Sequence, residues 1–202
     1  MSAPIPSRVL QTVRSYLPDE AATDALAAAI APCVAPHLRE TSPLPDEAAS
    51  TMPPPPGAPP QGGRIHLVGD LGAGKTAFAR ALLRAVGVTG RIKSPSYALL
   101  ESYKVFNLYC YHLDFYRFSD PREWLDAGFR DVLREDALVL IEWPQRAGDL
   151  LPAPDLTIAL DYAEPGRDAT LSATTERGQI WLNAIVPLLP PPRAATPPRA
   201  GG

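Results

Sequence analysis

Arg64-Ile65-His66-Leu67-Val68-Gly69-Asp70-Leu71-Gly72-Ala73-Gly74-Lys75-Thr76 joins a short apolar strand to a glycine-rich turn that opens a helix. Residues 69–76 match G-x-x-x-x-G-K-[ST]. Gly69 and Gly74 let the backbone curl so that several N–H groups point inward. With the N-terminus of the following helix, these groups form an anion hole for phosphate. In this pattern Lys75 brings a point charge to the β- and γ-phosphates, and the Thr76 hydroxyl is the expected Mg²⁺ ligand. Residues 75–86 have helix composition, with Gly87 as the cap. The match therefore sits between a strand and a helix, as phosphate binding requires, and a coincidental glycine turn would lack that setting. Gly69, Asp70, Leu71, Gly72, Ala73, Gly74, Lys75 and Thr76 are the candidate nucleotide-binding residues.

Such a loop needs a second, magnesium-organising carboxylate at the end of a neighbouring strand. Ala137-Leu138-Val139-Leu140-Ile141 is a continuous apolar run, the signature of a central strand buried on both faces. Glu142 follows it directly. An acid at the end of a buried strand is costly unless it is paired or metal-linked, and open α/β sheets bind ligands at those strand ends. Asp114 ends a second strand and is the candidate to orient or deprotonate a water, or to hold a metal-bound water. The alternative for Asp114 is a salt bridge to Arg117.

Working outward, residues 97–104 and 108–115 read as strands, and residues 120–135 as one or two short helices broken at Gly128. Residues 156–162 and 168–174 alternate around Glu164-Pro165-Gly166-Arg167 as a hairpin, and residues 176–186 read as a helix. Upstream, residues 19–31 form a helix with Ala22, Leu26, Ala29 and Ile30 on one face, whose end Pro32 and Pro36 leave open. Strands alternating with helices predict an α/β fold. The expected architecture is a P-loop NTPase-like mixed, mostly parallel sheet flanked by helices, with a C-terminal hairpin. The expected domain covers residues 17–186, after a polar extension at 1–16.

Proline marks the remaining segments. There are 25 in 202 residues, and eight fall within 43–60 and six within 187–202. Residues 40–63 read as an insertion and 187–202 as a disordered tail. Four consecutive prolines at 53–56 exclude helix and paired strand there. Leu17-Pro18-Asp19-Glu20-Ala21-Ala22 recurs as Leu44-Pro45-Asp46-Glu47-Ala48-Ala49, by local duplication or by coincidence in biased sequence. The net charge of −3 argues against a dedicated nucleic-acid binder, so no DNA partner is expected. No apolar run approaches the ~18 residues of a membrane span, and no signal-peptide pattern opens the sequence. Cys33 and Cys110 read as reduced, buried thiols. A cytoplasmic location is the expectation.

Within the P-loop class, Asn107 and Asn183 are the only asparagines and neither begins an N-K-x-D guanine reader. The scattered arginines make no clear kinase lid. Four stretches fall in register with one family: residues 69–76, Lys93-Ser94-Pro95-Ser96-Tyr97, His112-Leu113-Asp114-Phe115-Tyr116-Arg117 and Ile141-Glu142-Trp143-Pro144. Their order and spacing resemble the bacterial TsaE (YjeE) family over about residues 17–182. Residues 17–23 resemble its opening segment and Gly166-Arg167 its late G-R.

The resemblance implies a weak, Mg²⁺-dependent ATPase that acts with TsaB and TsaD in forming N6-threonylcarbamoyladenosine in tRNA. The transfer itself would belong to TsaD, and tRNA would be met through the complex. It assigns Lys75, Asp114 and Glu142 to catalysis and Thr76 and Glu142 to the metal. Residues 94–97 resemble a switch-like loop over the phosphates. Ser96 stands where the family usually has threonine and keeps a hydroxyl for the nucleotide or metal. Thr23 and Arg167 are implied nucleotide contacts, against a helix-face threonine and a solvated turn arginine. Trp143 is weighed between a site role and packing. For His112, a strand-end hydrogen bond is preferred over catalysis. The insertion at 40–63 departs from the family and leaves open whether helix 19–31 docks. The rival functions are a small-molecule kinase and a nucleotide-dependent assembly module.

Overall fold

The computed structural model describes residues 8–39, 61–133 and 136–193. Most of the proline-rich insertion, the second copy of the repeated hexapeptide and the tail from 194 onward lie outside the described residues. Seven strands form one sheet: β1 (Gln11–Leu17), β2 (Gly63–Val68), β3 (Leu100–Val105), β4 (Leu108–Asp114), β5 (Leu138–Glu142), β6 (Leu156–Ala163) and β7 (Gly166–Ala173). Their order is β1-β7-β6-β2-β5-β4-β3. The β6-β2-β5-β4 centre is parallel, and β1-β7, β7-β6 and β4-β3 are antiparallel. This is the mixed P-loop NTPase-like sheet that the alternation of elements predicts.

The period-two geometry of β5 divides the core. Leu138 and Leu140 face a helical layer made by α1 (Glu20–Val34), α2 (Lys75–Ala85) and α4 (Glu176–Ile185), where Leu26, Ile30, Phe78, Leu82 and Trp181 are buried. Val139 and Ile141 face the other way and pack with Phe115, Phe118 and Trp124, the last from the single-turn α3 (Glu123–Asp126). All five β5 residues are buried, which accounts for the unbroken apolar run. Glu142 continues the parity of Leu138 and Leu140, so its side chain projects towards α2.

Two boundaries differ from the sequence expectation. Residues 11–17, read largely as a polar extension, form β1 at the sheet edge, paired with β7 from Gln11↔Ala173 to Leu17↔Arg167. Val13, Ser15 and Leu17 alternate inward, but a buried serine in the middle position obscures the apolar period. Its hydroxyl donates to the Pro190 carbonyl at 2.9 Å. Residues 187–193, assigned by composition to the tail, thus meet β1, and Arg193 also stacks over Tyr16 at 5.4 Å. The second difference is the end of α1, which runs to Val34 with Pro32 inside. Asp19 caps its start, Oδ1 accepting from the Ala22 amide at 2.8 Å. Leu26, Ala27, Ile30, Ala31 and Val34 are buried, so α1 is docked despite the insertion that follows it. Among the described residues, no helix is long and apolar enough to cross a membrane.

Candidate phosphate-binding site

The loop from β2 to α2 carries positive φ at Gly69, Gly72 and Gly74. Two of these glycines are required by close approach as well. A Cβ on Gly69 would lie 2.3 Å from the Leu160 carbonyl oxygen, and one on Gly72 would lie 2.6 Å from the Tyr162 hydroxyl. The loop closes over a cleft of about 190 Å³ lined by Gly72, Gly74, Lys75, Thr76, Ser96, Asp114, Tyr116, Glu142 and Trp143 among others.

Lys75 is buried. Its Nζ donates to the carbonyls of Gly69 at 2.7 Å and Asp70 at 2.8 Å, and it sits 4.0 Å from the centre of the Trp143 ring. Burial pulls its pKa below the ordinary lysine value, while the Glu142, Asp114 and Asp70 carboxylates pull the other way. Trp143 reaches this position because the chain turns abruptly after β5. Its φ is 57°, a left-handed conformation that a bulky residue adopts only when its surroundings enforce it. Tyr116 supports the same ring at 5.1 Å.

Thr76 Oγ1 lies 2.8 Å and 2.9 Å from the two carboxylate oxygens of Glu142. His112 Nε2 is 2.9 Å from Glu142 Oε1. His112 is fully buried and its Nδ1 has no partner among the described residues, so Nε2 is the ring nitrogen that meets the carboxylate. The preference for a strand-end hydrogen bond at His112 agrees with this geometry. A hydroxyl beside a carboxylate is an all-oxygen donor set of the kind that Mg²⁺ takes, with few protein ligands and the remainder from water and phosphate.

Asp114 pairs with Glu142 across the parallel β4–β5 ladder, so both acids end adjacent strands. Asp114 Oδ1 accepts from the Tyr116 amide at 2.9 Å and Oδ2 from the Ser96 hydroxyl at 2.9 Å. Ser94 and Ser96 hydroxyls are 2.8 Å apart, which ties the 93–99 loop to the acid. Arg117 turns away and stacks on the exposed Tyr97 ring at 4.3 Å.

The structure thus gathers Gly72, Gly74, Lys75, Thr76, Ser96, Asp114 and Glu142 around one cleft. Thr23 and Arg167 are not among its lining residues. The Thr23 hydroxyl donates to the Asp19 carbonyl at 3.4 Å, and Arg167 Nε donates to the Ala73 carbonyl at 3.1 Å. Tyr162 reads from sequence only as a strand residue, yet its hydroxyl donates to the Leu71 carbonyl at 2.7 Å. Its position on the hairpin, far along the chain from the loop, leaves no local signal.

Sheet order, glycine loop and paired strand-end acids define a protein of the P-loop NTPase-like class. The fold is shared with the crystal structure of Bacillus subtilis YdiB, with a TM-score of 0.63 at 22% identity, covering 90% of this chain and 98% of that one. The family model described as "Threonylcarbamoyl adenosine biosynthesis protein TsaE" matches residues 17–169. The chain is 39% identical over 121 residues to the tRNA threonylcarbamoyladenosine biosynthesis protein TsaE of Haemophilus influenzae, covering 60% of this chain and 77% of that protein. It is 30% identical over 122 residues to the protein of the same name from Bacillus subtilis, covering 60% and 76%. The chain belongs to the TsaE family.

Proposed function

We propose that this protein is the Mg²⁺-dependent, ATP-binding and ATP-hydrolysing component of N6-threonylcarbamoyladenosine formation in tRNA, acting in the cytoplasm with TsaB and TsaD. The observation that carries the reading is the convergence of Thr76 and Glu142 beside Lys75 at the mouth of a glycine loop. Relatives named for tRNA threonylcarbamoyladenosine biosynthesis supply the pathway. Residues 69–76 receive the phosphates through backbone N–H groups and the start of α2. Lys75 leaves the Gly69 and Asp70 carbonyls for the β- and γ-phosphate oxygens. Thr76 and Glu142 are the residues that would hold Mg²⁺, which would supply positive charge against the phosphates. Asp114 orients the attacking water or takes its proton, and Ser96 couples that acid to the 93–99 loop. Threonylcarbamoyl transfer belongs to TsaD, and tRNA is reached through the complex.

The test is reconstitution with TsaB, TsaD and tRNA, scoring modified nucleoside by mass spectrometry over several turnovers. Wild-type protein is expected to support modification, and Lys75→Ala and Glu142→Ala are expected to abolish it. Unchanged modification when the chain is omitted, or with Glu142→Ala, overturns the reading. Modification that survives in a binding-competent, hydrolysis-dead Asp114→Asn variant identifies an assembly module.

A further inference from the structure

We propose that Tyr162 and Arg167, on the β6–β7 hairpin, are positioning residues that set two peptide planes of the phosphate loop; this rests on the phosphate-binding reading above. Four carbonyls between residues 69 and 73 accept side-chain hydrogen bonds. Lys75 takes those of Gly69 and Asp70. Tyr162 takes Leu71 at 2.7 Å, and Arg167 takes Ala73 at 3.1 Å. The first two bonds are lost when Lys75 turns to a phosphate. The two from the hairpin do not depend on Lys75.

The direction of these bonds gives them their effect. Tyr162 and Arg167 lie outside the cleft, whereas Leu71, Gly72 and Gly74 line it. In a trans peptide the carbonyl of one residue and the N–H of the next point opposite ways. Holding the Leu71 and Ala73 carbonyls towards the hairpin therefore turns the Gly72 and Gly74 amides towards the cleft. Neither amide has an acceptor among the described residues, as donors kept for an anion would not. The hairpin pair is itself braced. The Arg167 guanidinium lies over the Tyr162 ring at 4.5 Å, and its Nη1 donates to the Gly166 carbonyl at 2.8 Å. Gly72 admits this contact because a Cβ there would collide with the Tyr162 hydroxyl. Donors fixed before the ligand arrives cost no reorganisation when it binds.

Tyr162→Phe removes the hydroxyl and keeps the half-exposed ring under Arg167; Arg167→Met removes the donor to Ala73. In ¹⁵N-labelled, nucleotide-free protein, Tyr162→Phe is expected to shift or broaden the Gly72 amide resonance, and Arg167→Met the Gly74 resonance, with the thermal midpoint unchanged. Calorimetric affinity for ADP and for inorganic pyrophosphate is expected to fall about tenfold in each variant. Amide resonances that overlay on wild type overturn the proposal, even where ADP affinity falls, because direct contact with the nucleotide would then explain the loss. Moved amides with unchanged ADP affinity overturn it too. Wild-type protein that binds neither ADP nor pyrophosphate would sink the phosphate-binding reading, and the amide shifts would still decide whether the hairpin holds the loop.

Discussion

Thr76 and Glu142 stand 66 residues apart in sequence, yet the threonine hydroxyl is shared between both carboxylate oxygens at 2.8 and 2.9 Å. The pairing arises because α2 starts where β2 ends and β5 is the parallel neighbour of β2. His112 from β4 meets the same carboxylate at Oε1. Three neighbouring strands, β2, β5 and β4, and the start of α2 thus bring one hydroxyl, one carboxylate and one imidazole together.

Glu142→Gln keeps the shape of the side chain and removes its charge. With MgCl₂ present, affinity for ADP is expected to fall about tenfold or more, roughly 1.4 kcal/mol. With EDTA present, affinity is expected to hold or improve, since a negative charge beside the phosphates has gone. Calorimetric titration under the two conditions separates the effects. An equal loss in both would mean that Glu142 serves the loop's architecture and not a metal.

Lys75→Met tests a conflict between stability and function at one side chain. The ammonium is buried, and burial pulls its pKa down, so the folded protein holds a charge at a cost. Methionine has similar length, keeps contact with the Trp143 ring and carries no charge. The variant is expected to unfold at the same temperature or a higher one in the absence of ligand, while losing all thermal stabilisation by Mg²⁺ and ATP. A large drop in the ligand-free midpoint would show that the bonds to Gly69 and Asp70 hold the loop together.

The legibility of these features in sequence followed the distance between partners. The glycine loop was readable because its strand, turn and helix are contiguous. Glu142 was readable because five buried residues of β5 end on an acid, a break in pattern that calls for a partner. β1 is hidden in the sequence because Ser15 occupies an inward position, and its burial depends on the Pro190 carbonyl, 175 residues away. The bond from Arg167 to Ala73 depends on how a distant hairpin folds over the loop. Such long-range polar contacts leave no periodic mark.

Asp155 predicts a second consequence of long-range contact, this time for stability. It is buried at 5% exposure. Its Oδ2 accepts from the Arg64 amide at 2.9 Å and Oδ1 from the Thr175 hydroxyl at 2.6 Å. Thr175 in turn caps α4 through the Gly178 amide at 3.1 Å. One carboxylate therefore fastens β2 to the start of α4. Asp155→Ala leaves the half-buried Arg64 amide unpaired and a cap misaligned, and is expected to cost about 3 kcal/mol in urea denaturation. Asp155→Asn retains one acceptor and is expected to cost about 1 kcal/mol. Equal effects for the two variants would mean that the carboxylate charge, not the pairing, is what matters.

His66 sets the expected response to acid. It lies in the middle of β2 with a buried Nε2 that has no partner among the described residues. Burial, reinforced by Arg64, pushes its pKa down from 6.5 to about 3. Between these values the unfolded chain binds a proton that the folded protein refuses, so protonation favours unfolding. Stability from this source is complete above pH 6.5 and is lost progressively as pH falls towards 3. At pH 5 the loss is about 2 kcal/mol. Carboxylates also titrate in acid, so the informative quantity is the difference between wild type and His66→Gln, which fills similar space and does not ionise. Urea melts at pH 7.5 and pH 5 are expected to show the variant gaining about 2 kcal/mol on wild type at the lower pH. A difference that does not change with pH would mean that water reaches the imidazole in the folded protein and allows it to charge.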